Sequence, residues 1–186
     1  MIRVLDVVLS AVGLLVSAPL MLIIFVAGLI DTGSPLFIQE RVGRGRRPFR
    51  VVKLRTMRLE TPSVGTHLAD PASVTPLGRF LRRTKLDELP QLWNVLKGDM
   101  SLVGPRPCLP NQTELIAARS RLGVFAVRPG ITGLAQIRGI DMSEPQRLAE
   151  VDAEMMRGFG LVAYCRILAA TLLGAGRGDR VRRSGV

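Results

Sequence analysis

Between Val4 and Ile30 the chain carries a single charge, Asp6, in an otherwise apolar run. A helix needs about 20 apolar residues to cross a bilayer core, so this segment is long enough to do so. It is too long for the apolar core of a signal peptide, and no clean small-x-small cleavage site follows it, so it is expected to stay as a membrane anchor. Pro19, near its middle, lacks the N–H a helix interior requires and is expected to kink or break the helix there. Two topologies follow. The helix spans, and the arginines after it mark the cytoplasmic side; or the chain bends at Pro19 and both ends return to one face. A spanning helix is the commoner structure and the one the residues alone favour, while Arg3 and Asp6 at its start lean mildly to the second, since both could rest at the headgroups that also hold the downstream arginines.

The 186 residues suffice for one folded unit beside such an anchor. With 47% hydrophobic residues, disorder, a collagen-like chain and a disulfide scaffold are excluded. Cys108 and Cys165 are too few to staple the chain and read as reduced fillers facing the cytosol. Lys and Arg number 26 against 15 Asp and Glu, a net charge of +11. Such a balance calls for anionic partners. His67 is the one histidine and reads as a solvated loop residue. Histidine-based metal helices and catalytic triads are therefore excluded, and chemistry must rest on carboxylates, arginines and a metal.

Arg41, Arg44, Arg46, Arg47, Arg50, Lys53, Arg55 and Arg58 form a stretch without an acid. Juxtamembrane binding of anionic lipid accounts for Arg44 to Arg47. The alternation from Pro48 to Arg55 instead reads as a strand after turn signals at Gly43 and Gly45, with Lys53 and Arg55 on one face. The glycines lack the GK[ST] of a phosphate loop and the strand, turn and helix of a dinucleotide site. Pro76 opens a short helix with Leu77, Phe80 and Leu81 on one face. Residues 143 to 157 read as a polar helix. The apolar stretch Phe159 to Leu173, interrupted by Arg166 and followed by Arg177, Arg180, Arg182 and Arg183, reads as an interfacial helix with a basic end.

The most informative segment is LDELPQLWNVLKGDMSLVGPRP, residues 86 to 107. Leu89, Leu92, Trp93 and Leu96 recur at helical spacing, and Lys97-Gly98 makes a C-terminus. Asp87 and Glu88 fall at the helix start, where ordinary capping explains acids. Their company points further: Arg79, Arg82, Arg83 and Lys85 precede them, and Arg106 follows between two prolines. Carboxylates ringed by guanidinium groups can bind Mg²⁺ and phosphates together. A lipid phosphate is ionised near neutrality and needs no general base to act as a nucleophile. The barrier is anion meeting anion, which cations on the transferred phosphoryl group lower. A carboxylate can also attack phosphorus itself and divide the transfer in two.

These residues, with Lys53-Leu54-Arg55-Thr56-Met57 and RPGITGLAQ at 128 to 136, resemble the bacterial sugar transferase family, the monotopic polyprenyl-phosphate phosphoglycosyl transferases. The match keeps motif order from the N-terminal helix to about residue 170. The resemblance implies transfer of a sugar-1-phosphate from a UDP-sugar to undecaprenyl phosphate with release of UMP, as the first membrane step of bacterial glycoconjugate assembly. It implies Asp87 as nucleophile, forming an aspartyl-phosphosugar, with Glu88 beside it and both close to Mg²⁺. Substrate contacts would fall on Arg55, Arg82 and Arg106, joined by Lys53, Arg128, Gln136 and the acid Asp152. It also implies a re-entrant helix broken at Pro19, a catalytic domain on the cytoplasmic face of the bacterial inner membrane, and contact with cytoplasmic leaflet lipids; whether the chain forms a homodimer stays open.

Three departures stand out. Ala18 precedes Pro19 where the family has serine, with Ser17 one place early; Arg138-Gly139-Ile140 reverses a Gly-Arg order; and Tyr164 replaces an aspartate. The expected fold is mostly helical α+β, with a re-entrant helix at 1–30, a catalytic domain at 31–158, and an amphipathic interfacial helix with a basic tail at 159–186. Two other functions stay open: a membrane-anchored glycosyltransferase releasing UDP, and a non-enzymatic binder of anionic lipid. Nucleic acid is not expected as a partner, because the 4% of aromatic residues are not interleaved with the basic cluster.

Overall fold

The computed structural model describes residues 1–62 and 70–176, so the expectations for His67 and for the basic tail from Arg177 onward lie outside the described residues. Helix α1 runs Ile2–Thr32, closed by Gly33 at φ 74. Strands β1 (Leu36–Val42) and β2 (Pro48–Leu54) form an antiparallel hairpin. Helices α2 (Pro76–Thr84) and α3 (Gln91–Lys97) follow, then β3 (Ser101–Val103) and α4 (Thr113–Arg121). The chain continues through β4 (Gly130–Thr132), α5 (Leu134–Ile137), α6 (Pro145–Arg157) and α7 (Leu161–Leu172). β3 pairs with β4 in parallel, Ser101 opposite Gly130. The described residues form a mostly helical α+β unit with one long apolar helix.

Three apolar clusters hold the unit together. Val51, Val95, Met100, Val103, Tyr164 and Ile167 join the hairpin, α3, β3 and α7. Cys108, Leu115, Ala118, Leu148 and Ala149 seal α4 against α6. Ile24, Leu54 and Leu81 bring the second half of α1 onto β2 and α2, with Leu77 and Leu86 beside them. Burying side chains of this size contributes about 1.5–3 kcal/mol each. Phe80 leaves the face expected for it and stays exposed, because Leu77 and Leu81 already fill the contact.

α1 holds to this unit at both ends. At its start Arg3 donates to the carbonyls of Val95 (2.7 Å) and Leu96 (3.0 Å). Asp6 Oδ1 accepts from Ser101 Oγ, the Leu102 N–H and Tyr164 Oη, each at 2.9 Å. Asp6 and Arg3 therefore do not rest at headgroups as expected; a carboxylate with three donors in reach is better satisfied inside the protein. At the far end Thr75 Oγ1 donates to Asp31 Oδ2 at 2.6 Å, and Gly28 packs against Pro35. Between these ends Ala18, Pro19 and Leu20 are exposed. The helix continues through Pro19 rather than ending there: a proline costs the helix a hydrogen bond, which need not stop the turns on either side. Ser17 Oγ donates to the Gly13 carbonyl at 2.6 Å just ahead of it.

Candidate active site

Helix α2 ends at Lys85, whose left-handed backbone (φ 60, ψ 15) brings its N–H to the carbonyls of Leu81 and Arg82. A non-glycine residue in this conformation costs on the order of 1 kcal/mol. The reversal delivers Leu86, Asp87 and Glu88 as a single 3₁₀ turn directly off the helix, beside Arg82 of its last turn. Leu86 anchors this turn to Leu81 and Leu54. The acids therefore precede α3 rather than starting it, and neither is a cap: the 3₁₀ turn and α3 begin without a side-chain capping bond.

β2 supplies the first cation. Lys53 Nζ donates to Glu88 Oε1 at 2.9 Å. Asn94 fixes α3 against the same strand, accepting from the Val52 N–H (3.2 Å) and donating to the Arg50 carbonyl (2.7 Å). The second cation is Arg106, whose Nη2 donates to the same Glu88 oxygen at 2.8 Å. Arg82 is held by its Nε on Thr56 Oγ1 at 2.9 Å, and its charge acts on Asp87. That contact depends on Gly78, where a β-carbon would run into the Thr56 main chain.

The two carboxyls differ sharply. Burial would raise Glu88, yet Arg106 and Lys53, bonded to it, hold it well below the ordinary carboxylate range. Asp87 is 8% exposed. Burial, followed by the Glu88 charge, pushes its carboxyl up to about 6 against the pull of Lys53, Arg82 and Arg106. It accepts no hydrogen bond from the described residues. Such a group is a carboxylate with free lone pairs at neutral pH, near cations but not bonded to them, and suited to attack an electrophile or bind a cation. Among the described residues no third acid, histidine or cysteine completes a metal-binding group. Mg²⁺ commonly uses one or two carboxylates and takes its other ligands from water and phosphates, which fits this pair.

Lys53, Arg82, Arg106, Asp87 and Glu88 thus come together. Arg55 does not: β2 ends at Leu54, so the shared face expected for Lys53 and Arg55 stops one residue short. Arg55 turns to the Ser34 carbonyl (2.7 Å) and the Leu36 carbonyl (3.0 Å), over the Phe37 ring. Arg128 donates to the Gly98 carbonyl (2.8 Å) and holds the end of α3. Gln136 donates to the Ile131 carbonyl (2.8 Å).

Asp152 lies in the interior, where its Oδ2 accepts from Arg119 Nη2 (2.6 Å) and Nε (3.0 Å). Arg119 is not legible in the sequence as a functional candidate. Its acid lies 33 positions away, and no local pattern announces such a pair. Ile140, at the reversed Arg-Gly order, packs in the α4–α6 cluster, while Arg138 pairs with Glu154 at the surface.

The bacterial sugar transferase family model matches residues 1–177. The chain is 46% identical over 143 residues to UDP-glucose:undecaprenyl-phosphate glucose-1-phosphate transferase of Caulobacter vibrioides, covering 74% of this chain and 54% of that protein. It is 37% identical to undecaprenyl-phosphate glucose phosphotransferase of Komagataeibacter xylinus, covering 91% of this chain and 35% of the relative. It is 38% identical to undecaprenyl-phosphate galactose phosphotransferase of Salmonella typhimurium, covering 74% and 32%. The chain therefore spans about half the length of the first of these curated relatives and about a third of the other two. With the model spanning the chain from its first residue through α7, the protein belongs to the bacterial sugar transferase family.

Proposed function

We propose that this chain is a phosphoglycosyl transferase that moves a sugar-1-phosphate from a UDP-sugar to undecaprenyl phosphate and releases UMP. The observation that carries the reading is the split acid pair: Glu88 is neutralised by Lys53 and Arg106, and Asp87 beside it is buried and unbonded. An Asp87 oxygen attacks the sugar-bearing phosphorus; the bond from that phosphorus to the bridging oxygen breaks, and UMP leaves with the electron pair. An oxygen of undecaprenyl phosphate then attacks the aspartyl-phosphosugar, freeing the Asp87 carboxylate and forming the lipid diphosphosugar. Arg106 and Arg82, whose charges act on Asp87, would offset the charge that gathers on the transferred phosphoryl group. Asp87 and Glu88 would hold Mg²⁺, which supplies further neutralisation of that charge. The similarity to undecaprenyl-phosphate glucose and galactose phosphotransferases supports this substrate class.

The same reading places the unit at the cytoplasmic leaflet with α1 entering and leaving by one face. Attachment of both helix ends to one unit supports it: Arg3 and Asp6 at the start, Asp31 at the end. Exposed Leu161, Val162 and Leu172 on α7 and Trp93 on α3 are suited to lie at the bilayer surface.

The test is nucleotide release by the purified protein in nanodiscs with undecaprenyl phosphate, Mg²⁺ and a panel of UDP-sugars. UMP from one donor, lost with Asp87→Asn and with a chelator, is the expected result. UDP in place of UMP overturns the reading in favour of direct glycosyl transfer, and no nucleotide from any donor leaves lipid binding as the function.

A further inference from the structure

Arg106 stands between Pro105 and Pro107, and every main-chain carbonyl of this segment is held. Pro105 O accepts from the Gly130 N–H (2.9 Å), Pro107 O from Arg41 Nη1 (3.0 Å), and Cys108 O from the Val42 N–H (2.9 Å). The Arg106 carbonyl itself accepts from Arg119 Nη1 at 2.8 Å. Arg119 and Asp152 are each 1% exposed and lie on α4 and α6. Asp152 Oδ2 takes one edge of the guanidinium, accepting from both Nε and Nη2, and this leaves Nη1 aimed at Arg106.

An ion pair is an expensive way to join two helices, because both charges give up their hydration. Leu115, Ala118, Leu148 and Ala149 already seal α4 against α6, and apolar side chains in place of the pair would extend that seal. What apolar side chains cannot do is donate a hydrogen bond to a carbonyl. A guanidinium can, in a fixed direction, once its other edge is held.

We propose that Arg119 is a positioning residue for the reaction. Clamped by Asp152, it fixes the main chain of Arg106 so that the Arg106 guanidinium meets Glu88 and the transferred phosphate. Asp152 then acts through Arg119, at two removes from the substrate. This rests on the reading above for the reaction, but not for the geometry. Arg119→Lys keeps the charge next to Asp152 while offering a single nitrogen, which cannot replace the two nitrogens that hold the carboxylate and reach the Arg106 carbonyl as well.

Two double-mutant cycles in nanodiscs test it. In the first, Arg119→Lys lowers kcat for UMP release about 10- to 100-fold, the scale of a small misplacement. In an Arg106→Ala background the same change alters kcat less than about twofold, because the step it serves is already gone. Equal losses in both backgrounds overturn the proposal, since a role in general stability does not depend on Arg106.

The second cycle needs no turnover. The coupling of Arg106→Ala with Glu88→Gln in thermal melting is measured with Arg119 intact and again in the Arg119→Lys background. The coupling is expected to vanish in the second case, and an unchanged coupling overturns the proposal. A vanished coupling in a protein that releases no UMP from any donor keeps the positioning and sinks the reaction. If Arg119→Lys does not fold, Asp152→Asn takes its place in both cycles with the same outcomes.

Discussion

Asp87 and Glu88 are adjacent in sequence and share the cations Lys53 and Arg106, but only Glu88 is hydrogen-bonded to them. Glu88 Oε1 accepts from Lys53 Nζ at 2.9 Å and Arg106 Nη2 at 2.8 Å, while the Asp87 carboxylate accepts no hydrogen bond from the described residues. One acid binds the cations directly, and the other keeps its lone pairs free of them. Two residues of one 3₁₀ turn point in different directions, so the turn itself separates the roles.

The burial of Asp87 beside the Glu88 charge has a cost in stability that depends on pH. Its carboxyl titrates near 6 in the folded protein and at an ordinary 3.8 otherwise. Between these values the folded state binds more protons than the unfolded one, so the metal-free protein loses stability as pH rises from the lower value through the upper. The loss is up to about 3 kcal/mol, since a tenfold change in proton affinity is worth about 1.4 kcal/mol. Asp87→Asn is therefore expected to raise the melting temperature of metal-free protein by several degrees near pH 7.5 and leave it unchanged near pH 4, while abolishing turnover. Scanning calorimetry at both pH values checks this, and a variant that melts lower at the upper pH contradicts it.

After burial, the Glu88 charge does most to raise Asp87, and Glu88 draws Lys53 and Arg106 to itself. Glu88→Gln removes the repulsion and frees both cations to act on Asp87, so the Asp87 midpoint is expected to fall by about one pH unit or more. Carbon NMR of labelled aspartate carboxyls in metal-free protein reads the change. An unmoved or higher midpoint refutes the arrangement.

Gly78 tests the link between packing and site. A β-carbon there meets the Thr56 main chain, and α2 has to move away to admit it. That motion carries Arg82 off Thr56 Oγ1. Gly78→Ala is expected to cost about 2 kcal/mol or more, as overpacking against main chain does, and to lower kcat even where the protein is fully folded. Melting temperature and turnover on the same sample separate the two effects.

The sequence is most legible where chemistry and local periodicity coincide. Residues 76 to 84, 145 to 157 and 161 to 172 are helical as their patterns imply, β2 lies where alternation puts it, and Gly98 closes α3. Asp87, Glu88, Arg82 and Arg106 can be grouped because they lie within about twenty-five residues of one another, and Lys53 because its strand is readable. What escapes a sequence reading depends on contacts distant along the chain. Arg119 with Asp152, and Asp6 with Ser101 and Tyr164, are joined across 33, 95 and 158 positions. Short β3 and β4 carry too few residues to show a period. For Arg55 the difference is one residue of strand length, enough to turn its side chain from the acids to Ser34.

Tyr164, where the family pattern carries an acid, becomes intelligible beside Asp6. Its hydroxyl donates to Asp6 Oδ1 at 2.9 Å in the interior, so the chain has a donor where a second carboxylate would have met the first. Tyr164→Phe leaves Asp6 with Ser101 and Leu102 and is expected to cost about 1–2 kcal/mol. Tyr164→Asp places two carboxylates together and is expected to cost more, with the excess disappearing at low pH as one protonates. Thermal melting of both variants between about pH 4 and pH 8 distinguishes charge repulsion from a simple loss of packing.

The re-entrant path proposed for α1 can be tested at its ends. Arg3 and Asp6 bind the unit that Asp31 also reaches through Thr75, so a helix that crossed the bilayer would have to tear one set of contacts away. Removing a buried carboxylate from three donors leaves each of them unpaired, at about 1–3 kcal/mol apiece. A cysteine appended ahead of Met1 and a second at exposed Arg44, in a protein with Cys165→Ala, are therefore expected to react with an impermeant maleimide from the same side of sealed vesicles. Reaction from opposite sides shows a spanning helix and requires that the contacts of Arg3 and Asp6 be absent in the membrane.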